Sequence, residues 1–234
     1  MERKKYLVIV AGGRGERMGS DIPKQFLLLG GIPILQRSIS AFVDAIPGIE
    51  VICVLPQGEI ERWKDLCIRH AFTQKHSVVC GGISRFHSVK NALAKVPDGA
   101  IVAVHDGVRP LVSAVFLKGL FAKISQGNAL TPDGRPAGPA GIRALIPVLP
   151  VTDTLHNTAG EDPDRSTLLA AQTPQLFLSE DLKDAYSLAY STSFTDDASV
   201  AKAKGIPLSF TEGERYNIKI TTPDDLVLAE KLFF

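Results

Sequence analysis

Residues 10–25 (VAGGRGERMGSDIPKQ) combine closely spaced glycines with two cationic side chains, Arg17 and Lys24. Glycines after a strand let backbone N–H groups approach a phosphate or a base without obstruction by side chains. Two fixed cations beside such amides suit the stabilisation of charge on a phosphoryl group during its transfer. The segment therefore predicts a phosphate-binding site, whereas its glycines alone are equally compatible with a structural turn.

Two familiar phosphate-binding loops do not match this segment. A Walker A loop ends in Gly-Lys followed by Ser or Thr, and the chain contains no Gly-Lys pair. Gly13, Gly15 and Gly19 are spaced one residue too widely for a dinucleotide fingerprint, and Pro56 stands where an acidic residue would follow the second strand. The sequence therefore disfavours a dinucleotide-dependent oxidoreductase.

The composition excludes several other classes of protein. The 234 residues carry a formal net charge of +1, with 45% hydrophobic and 22% charged residues, as in ordinary globular proteins. Near-neutrality argues against a surface devoted to nucleic acid or anionic membrane. No apolar run approaches the roughly 20 residues of a membrane span. Three cysteines without a disulfide framework or metal spacing fit a reducing compartment. We therefore expect a cytoplasmic protein that binds neither nucleic acid nor membrane.

Strands and helices must position these residues, and the first half of the chain alternates between them. Buried-strand composition alternates with helical periodicity, which predicts an α/β fold: a Rossmann-like, mostly parallel sheet with helices on both faces. Ligands of such sheets bind beyond the carboxyl ends of the strands. The predicted strands are 6–10, 50–55, 76–80 and 101–104, and the predicted helices are 33–46, 59–71, 84–95 and 115–125.

The second half of the chain is less regular. The apolar run at residues 144–151 contains two prolines, which lack the N–H that a central strand donates to its neighbours. It is therefore predicted to form an edge or protruding strand. Helices are predicted at 179–190 and 196–204, with Ser179 and Thr195 as N-caps, and strands at 206–210 and 216–221. A closing helix is predicted at 223–232, with Thr222 as its cap.

Several motifs in a fixed order resemble one family of enzymes. They are spread from residue 11 to residue 226, which spans most of the chain, and lie at 11–26, 81–89, 104–110, 150–154, 164–165, 172–177, 195–199 and 217–226. Together they resemble the sugar-phosphate nucleotidyltransferases, and most closely the 2-C-methyl-D-erythritol 4-phosphate cytidylyltransferases. The resemblance implies one nucleotidyltransferase domain over residues 1–234, a protruding dimerisation arm at about 142–168, and a homodimer.

The resemblance also implies the reaction. A cytidylyl group would pass from CTP to 2-C-methyl-D-erythritol 4-phosphate, giving 4-diphosphocytidyl-2-C-methyl-D-erythritol and pyrophosphate for non-mevalonate isoprenoid synthesis, with Mg²⁺ as cofactor. Pyrophosphate would leave without a covalent enzyme intermediate. The implied CTP-binding residues are Ala11, Gly12, Gly13, Gly15, Arg17, Lys24, Gly82 and Ser88.

A second set of implied residues binds the phosphorylated polyol: Asp106, Arg109, Thr154, Arg165, Thr173 and Lys219. Arg17, Lys24, Arg165 and Lys219 would be catalytic, with Arg165 acting across the dimer interface. Asp106 would also hold Mg²⁺, and the alternative for Asp106 is a salt bridge with Arg109. Ser88 alternatively bonds its own helix backbone, and we expect His105 to be structural.

Residues 131–145 depart from the family pattern. Excising them would join residues 127–130 to 146–148 as one continuous strand, so we interpret 131–145 as an insertion, either a long inserted loop or an extension of the dimerisation arm. Ribitol 5-phosphate is the alternative acceptor, because it too is a five-carbon phosphorylated polyol. A homologue that keeps the fold without turnover is the alternative from another functional class.

Overall fold

Runs of β-branched and other apolar residues form the centre of a sheet in the computed structural model, which describes residues 2–13, 22–127 and 141–233. No helix within these ranges has the length and apolar character that crossing a membrane requires. The elements are β1 Lys5–Val10, β2 Leu28–Leu29, β3 Ile32–Pro33, α1 Ile34–Ala45, β4 Glu50–Leu55, α2 Ile60–Arg69, β5 Ser77–Cys80, α3 Arg85–Leu93, β6 Ile101–Asp106, α4 Ala114–Gln126, β7 Ala144–Pro150, β8 Leu169–Ala171, β9 Gln175–Leu178, α5 Ser179–Ala185, α6 Asp197–Ala203, β10 Leu208–Glu212 and α7 Pro223–Phe233.

The main sheet has the strand order β10-β7-β9-β6-β1-β4-β5, with β8 paired to the outer part of β7. β1 pairs in parallel with both β4 and β6, and β5 pairs in parallel with β4. β9 runs antiparallel between β6 and β7. The predicted α/β fold with a mostly parallel sheet is therefore confirmed.

Helices cover both faces of this sheet. On one face, Phe42 of α1 and Leu117 of α4 are fully buried in the larger core. On the other face, Val89 of α3 and Leu182 of α5 belong to a second core. Each fully buried side chain of this size contributes about 2 kcal/mol of transfer free energy, so the two cores keep the central strands fixed.

The prediction that residues 144–151 form an edge or protruding strand is wrong. β7 lies inside the sheet, between β10 and β9. Ala144 and Leu145 pair with β9, whereas Val148–Pro150 pair with β8, and Pro147 lies between these two pairings. Pro147, which has no N–H to donate, therefore lies at the point where β7 stops pairing with β9 and begins to pair with β8. The strand can remain internal for this reason.

Four local predictions also need correction. The predicted helix at 179–190 ends at Ala185, and its N-cap is Leu178, not Ser179. The cap of α6 is Asp196, not Thr195, because the Asp196 side chain and Ser199 form a reciprocal capping box. Residues 216–221 are not a strand, because this segment forms no ladder with the sheet, and Ile220 N–H donates to Val108 O in the loop after β6. β7 begins at Ala144, so the last two residues of the proposed inserted loop belong to the sheet, while residues 131–140 lie outside the described ranges.

Candidate active site

The carboxyl ends of β1, β4, β5 and β6 open into a cleft of about 720 Å³. Parallel strands bring these ends to one edge of the sheet, which is the expected ligand position in this architecture. The cleft is lined by Val10, Ala11, Gly12, Gly13, Pro23, Lys24, Gln25, Pro56, Gly58, Glu59, Gly81, Gly82, Ile83, Ser84, Arg85, Ser88, Asp106, Val108 and Lys219.

The loop after β1 is held by hydrogen bonds at its first residue. Ala11 N–H donates to Val54 O at 3.0 Å, and the buried Gln25 donates from Nε2 to Ala11 O at 2.8 Å. Lys24 begins a short 3-10 helix, and its Cε lies 3.7 Å from the position of a Cβ on Gly13. The aliphatic part of Lys24 therefore passes beside the glycines, and its charge is placed at the same cleft wall.

The second glycine segment connects β5 to α3. Gly82 N–H donates to Ser88 Oγ at 3.1 Å, and Ser88 Oγ donates to Ser84 O at 2.9 Å. A Cβ on Gly82 would approach His87 Cβ to 2.4 Å, so this position requires glycine. The alternative expected for Ser88, a bond to its own helix backbone, is present, although Ser88 also lines the cleft.

Three cations surround the carboxylate of Asp106 at the end of β6. Its Oδ2 lies 2.9 Å from Lys219 Nζ and 3.5 Å from Arg109 Nε, and its Oδ1 lies 3.9 Å from Arg85 Nε. Burial alone would raise the pKa of Asp106, but the positive charges of Arg85, Lys219 and Arg109 hold it below the usual value. Asp106 is therefore ionised at neutral pH, and the salt bridge with Arg109, which was the alternative role for Asp106, is present.

A chain of hydrogen bonds fixes the backbone around Asp106. Asp106 N–H donates to Thr173 Oγ1 at 3.1 Å, and Thr173 Oγ1 lies 3.1 Å from His105 Nδ1. His105 Nε2 lies 3.1 Å from Arg109 O, which can only accept, so we assign the proton to Nε2. Burial lowers the pKa of His105 to about 4, so the ring is neutral at pH 7. His105 is therefore structural, as expected.

An ion pair that sequence reasoning missed lies behind this site. Arg85 NH2 donates to Asp197 Oδ2 at 2.6 Å, and Tyr186 donates its hydroxyl to Asp197 Oδ1 at 2.6 Å. Burial would lower the pKa of Arg85, but the Asp197 carboxylate more than offsets this and raises it. An acidic residue directly before an apolar helical run was the available signal for Asp197, since a buried carboxylate needs a partner.

The structure brings together eight of the predicted site residues along the cleft: Ala11, Gly12, Gly13, Lys24, Gly82, Ser88, Asp106 and Lys219. Gly15 and Arg17 lie outside the described residues. Arg109 and Thr173 are not among the residues that line the cleft within the described ranges, but both contact Asp106 from behind it.

The predicted arm at about 142–168 is shorter than expected, because residues 144–150 belong to β7 of the sheet. Thr154 and Arg165 lie on the remaining arm, residues 151–168, whose side chains are almost all exposed. Arg165 donates from NH1 to Thr152 O at 2.7 Å. Among the described residues that line the cleft, none comes from this arm. A single chain therefore does not bring Thr154 or Arg165 to the other predicted residues.

Comparison with known proteins identifies the relatives of this chain. Residues 6–233 match the family model of 2-C-methyl-D-erythritol 4-phosphate cytidylyltransferase. Curated proteins of that name from Bacteroides thetaiotaomicron and Porphyromonas gingivalis are each 43% identical, covering 98% and 99% of this chain and 99% of their own length.

The solved structures agree with these relatives. The crystal structure of 2-C-methyl-D-erythritol 4-phosphate cytidylyltransferase from Thermus thermophilus is 32% identical with a TM-score of 0.68, covering 99% of this chain and 98% of that one. The enzyme of the same name from Francisella tularensis is 29% identical with a TM-score of 0.75, covering 97% and 99%. The chain therefore belongs to the 2-C-methyl-D-erythritol 4-phosphate cytidylyltransferase family.

Proposed function

We propose that this chain transfers the cytidylyl group of CTP to 2-C-methyl-D-erythritol 4-phosphate, the reaction for which its family is named, in isoprenoid precursor synthesis. One observation carries the proposal. A single cleft joins two glycine segments, which suit a nucleotide, to the Asp106–Lys219 pair, which suits a phosphorylated polyol. The chain is accordingly a nucleotidyltransferase.

CTP would occupy the part of the cleft between the two glycine segments. The backbone around Gly82 and the hydroxyl of Ser88 would contact the cytosine, where close approach and paired hydrogen bonds give base selectivity. The amides of Ala11, Gly12 and Gly13 and the ammonium of Lys24 would hold the triphosphate. We also place Arg17 and Gly15 of the same loop in this role, on the sequence motif.

The acceptor would bind on the side of Asp106 and Lys219. Lys219 supplies a positive charge for the acceptor phosphate, and Asp106 accepts hydrogen bonds from polyol hydroxyls. Arg109 and Thr173 serve this site from behind, because both are bonded to Asp106.

We propose that a second subunit completes the acceptor site. Arg165 and Thr154 are exposed on the arm of their own chain. A homodimer in which each arm reaches the partner subunit's cleft would bring the Arg165 guanidinium to the acceptor phosphate, which it can bind bidentately.

The reaction is an in-line displacement. An oxygen of the acceptor phosphate attacks the α-phosphorus of CTP, a new P–O bond forms, and the bond to the β-phosphate oxygen breaks, so that pyrophosphate leaves. A phosphate monoester is already ionised at neutral pH, so the step needs no strong general base. Lys24 and Arg17 stabilise the charge on the transferring group, while Lys219 and Arg165 orient two anions that would otherwise repel each other.

The family is in general dependent on a divalent cation, and the residues at the cleft fit Mg²⁺. The described residues contain no cluster of three or more His, Cys, Asp or Glu side chains that could hold a metal alone. Mg²⁺ bound with nucleotide needs only one or two carboxylates, and Asp106 is an ionised carboxylate on the cleft wall. Asp106 would therefore hold the ion, which neutralises phosphate charge when it is bound.

A cytoplasmic location is supported by the cysteines. Cys53, Cys67 and Cys80 are all free thiols in the structure. Unpaired cysteines are typical of a reducing compartment.

Pyrophosphate release tests the reaction. The purified protein is incubated with Mg²⁺, CTP and either 2-C-methyl-D-erythritol 4-phosphate or ribitol 5-phosphate, with CTP alone as the blank. We expect release with the methylerythritol acceptor only. Equal release with both acceptors would contradict the proposed specificity, and no release with either would support a non-catalytic homologue.

Mixed dimers test the role of Arg165. Arg165→Ala and Lys24→Ala homodimers should each be nearly inactive. After the two are unfolded and refolded together, half of the dimers are mixed, and one of the two sites in each mixed dimer is intact, so about a quarter of wild-type activity returns. Activity that does not return would show that Arg165 serves its own chain, and an active Arg165→Ala homodimer would show that Arg165 is not needed.

A further inference from the structure

The guanidinium of Arg85 lies between two carboxylates with different surroundings. Its NH2 is 2.6 Å from Oδ2 of Asp197, a fully buried residue. Its Nε is 3.9 Å from Oδ1 of Asp106, which lines the cleft. Arg85 thus joins the interior of the protein to the wall of the proposed active site.

Asp197 is itself held in place on both sides. Its Oδ1 accepts a hydrogen bond from Tyr186 at 2.6 Å, and the ring of Tyr186 stacks on Phe86 with 4.7 Å between centroids. The neighbouring Asp196 caps α6 by accepting from Ser199 N–H at 2.8 Å. The position of the Asp197 carboxylate therefore follows from packing in the core, without any contribution from a ligand.

The two oxygens of Asp106 have different partners. Within the described part of the chain, both Lys219 and Arg109 pair with Oδ2, whereas Arg85 is the cation paired with Oδ1. The Lys219 side chain is 43% exposed, compared with 29% for Arg85 and 12% for Arg109. Lys219 is therefore the cation with most freedom to turn from Asp106 towards an incoming anion.

We propose that Asp197 is a positioning residue, which holds the Arg85 guanidinium 3.9 Å from Oδ1 of Asp106 and so keeps that carboxylate oriented while Lys219 engages the acceptor phosphate. This inference rests on the proposed function, because that function assigns Lys219 to the acceptor. Without the charge of Asp197, Arg85 would be free to move onto Asp106 and to compete there with Lys219 and with the polyol.

Asp197→Asn removes the charge while keeping the shape of the side chain and an acceptor for Tyr186. We expect kcat/KM for the acceptor to fall about tenfold, chiefly through KM, because a misplaced binding group weakens orientation of the reacting phosphate. The Kd of CTP, measured by calorimetry, should change by less than about twofold, because Gly82 and Ser88 are held by hydrogen bonds to each other and to Ser84 O.

Asp181→Asn is the matched control. Asp181 is also a buried carboxylate paired with an arginine, since Arg143 donates from Nε to its Oδ2 at 2.8 Å, but it belongs to α5 and does not line the cleft. Both variants remove one partner of an ion pair, so both should lower the melting temperature. Asp197→Asn alone should raise the KM of the acceptor, and an equal rise in both variants would overturn the proposal.

A second readout does not depend on turnover. In ¹⁵N NMR spectra, the signal of the Arg85 NH2 group that donates to Asp197, assigned by its absence in Arg85→Lys, should be sharp and protected from exchange in the wild type. It should lose protection in Asp197→Asn and keep it in Asp181→Asn and in Lys219→Met. A signal that stays protected without the Asp197 charge, or that disappears without Lys219, would overturn the proposal.

These readouts separate the two proposals. A wild-type protein that releases no pyrophosphate refutes the proposed function, while the Arg85 signal still decides whether Asp197 positions Arg85. If Asp197→Asn does not fold, Tyr186→Phe removes only the hydroxyl that holds Asp197. That variant should show a smaller rise in acceptor KM and a partial loss of Arg85 protection, and wild-type values in both would overturn the proposal.

Discussion

His105 makes the stability of the strand end that carries Asp106 dependent on pH. The ring is fully buried and is bonded to Arg109 O and Thr173 Oγ1. Burial lowers its pKa to about 4. In the unfolded chain a histidine has a pKa of about 6.5. Between these two values the unfolded chain takes up a proton that the folded protein does not.

The sign and size of the effect follow from this difference. Because the unfolded state binds more protons, the free energy of unfolding falls as pH falls from about 6.5 towards 4. Each pH unit within this range lowers the free energy of unfolding by about 1.4 kcal/mol. Relative to pH 7, His105 therefore lowers the free energy of unfolding by about 2 kcal/mol at pH 5 and by about 3 kcal/mol at pH 4. Above about pH 7 the histidine is neutral in both the folded and the unfolded state, so the free energy of unfolding no longer changes through His105.

Urea unfolding of the wild type and of His105→Gln at pH 7, 6 and 5 measures this contribution. Glutamine can still donate to Arg109 O but has no group that titrates in this range. We expect the variant to be less stable at pH 7. The difference in free energy of unfolding between wild type and variant should be about 2 kcal/mol smaller at pH 5 than at pH 7. Other titrating groups are common to both proteins and cancel in the difference.

His156→Gln is the control for removal of a histidine, because the His156 side chain is 78% exposed on the arm and its contact with the 51% exposed Asp162, at 2.8 Å, contributes little to stability in water. It should follow the wild-type dependence on pH at the same protein concentration. A gap between wild type and His105→Gln that is constant from pH 7 to pH 5 would refute the reasoning, since His105 would then titrate alike in both states.

Three further variants test other parts of the structure. Lys24→Ala should lower kcat about 100-fold in the pyrophosphate assay without moving the urea midpoint, and normal turnover in a folded variant would remove Lys24 from the chemistry. Gly82→Ala should raise the Kd of CTP in calorimetry, because its Cβ would lie 2.4 Å from His87 Cβ; Gly119→Ala, where a Cβ meets nothing within 4 Å, is the control, and equal affinities would contradict the argument. Asp196→Ala should lower the free energy of unfolding by about 2 kcal/mol, because it removes both the α6 cap and the acceptor of the buried Gln175 Nε2 at 2.7 Å, and undiminished stability would show that neither bond contributes.

The buried strands and their carboxyl ends could be predicted from the sequence because these features are local. An apolar run such as 50–55 is a strand because nearly every residue in it is buried in the sheet. Residues that follow the strands, such as Gly82 and Asp106, therefore came to one cleft as expected.

Other features depend on contacts between distant parts of the chain, and no local pattern reports them. Arg85 and Asp197 are 112 residues apart, and only the packing of α3 against α5 and α6 brings them together. The internal position of β7 depends on a change of partner from β9 to β8 that proline content alone does not reveal. The proposed role of Arg165 involves a second subunit, and the sequence of one chain does not show how two subunits would be arranged.

The antiparallel strand β9 has a consequence for how the chain is made. β6 is buried at every position, and one of its edges is completed by Gln175–Leu178. While the ribosome has released only the residues that precede β9, that edge of β6 has no partner strand. It then exposes unpaired backbone N–H and C=O groups beside apolar side chains. A fragment that ends before β9 should therefore aggregate, so residues 1–174, which carry both glycine segments, cannot serve as an independent module.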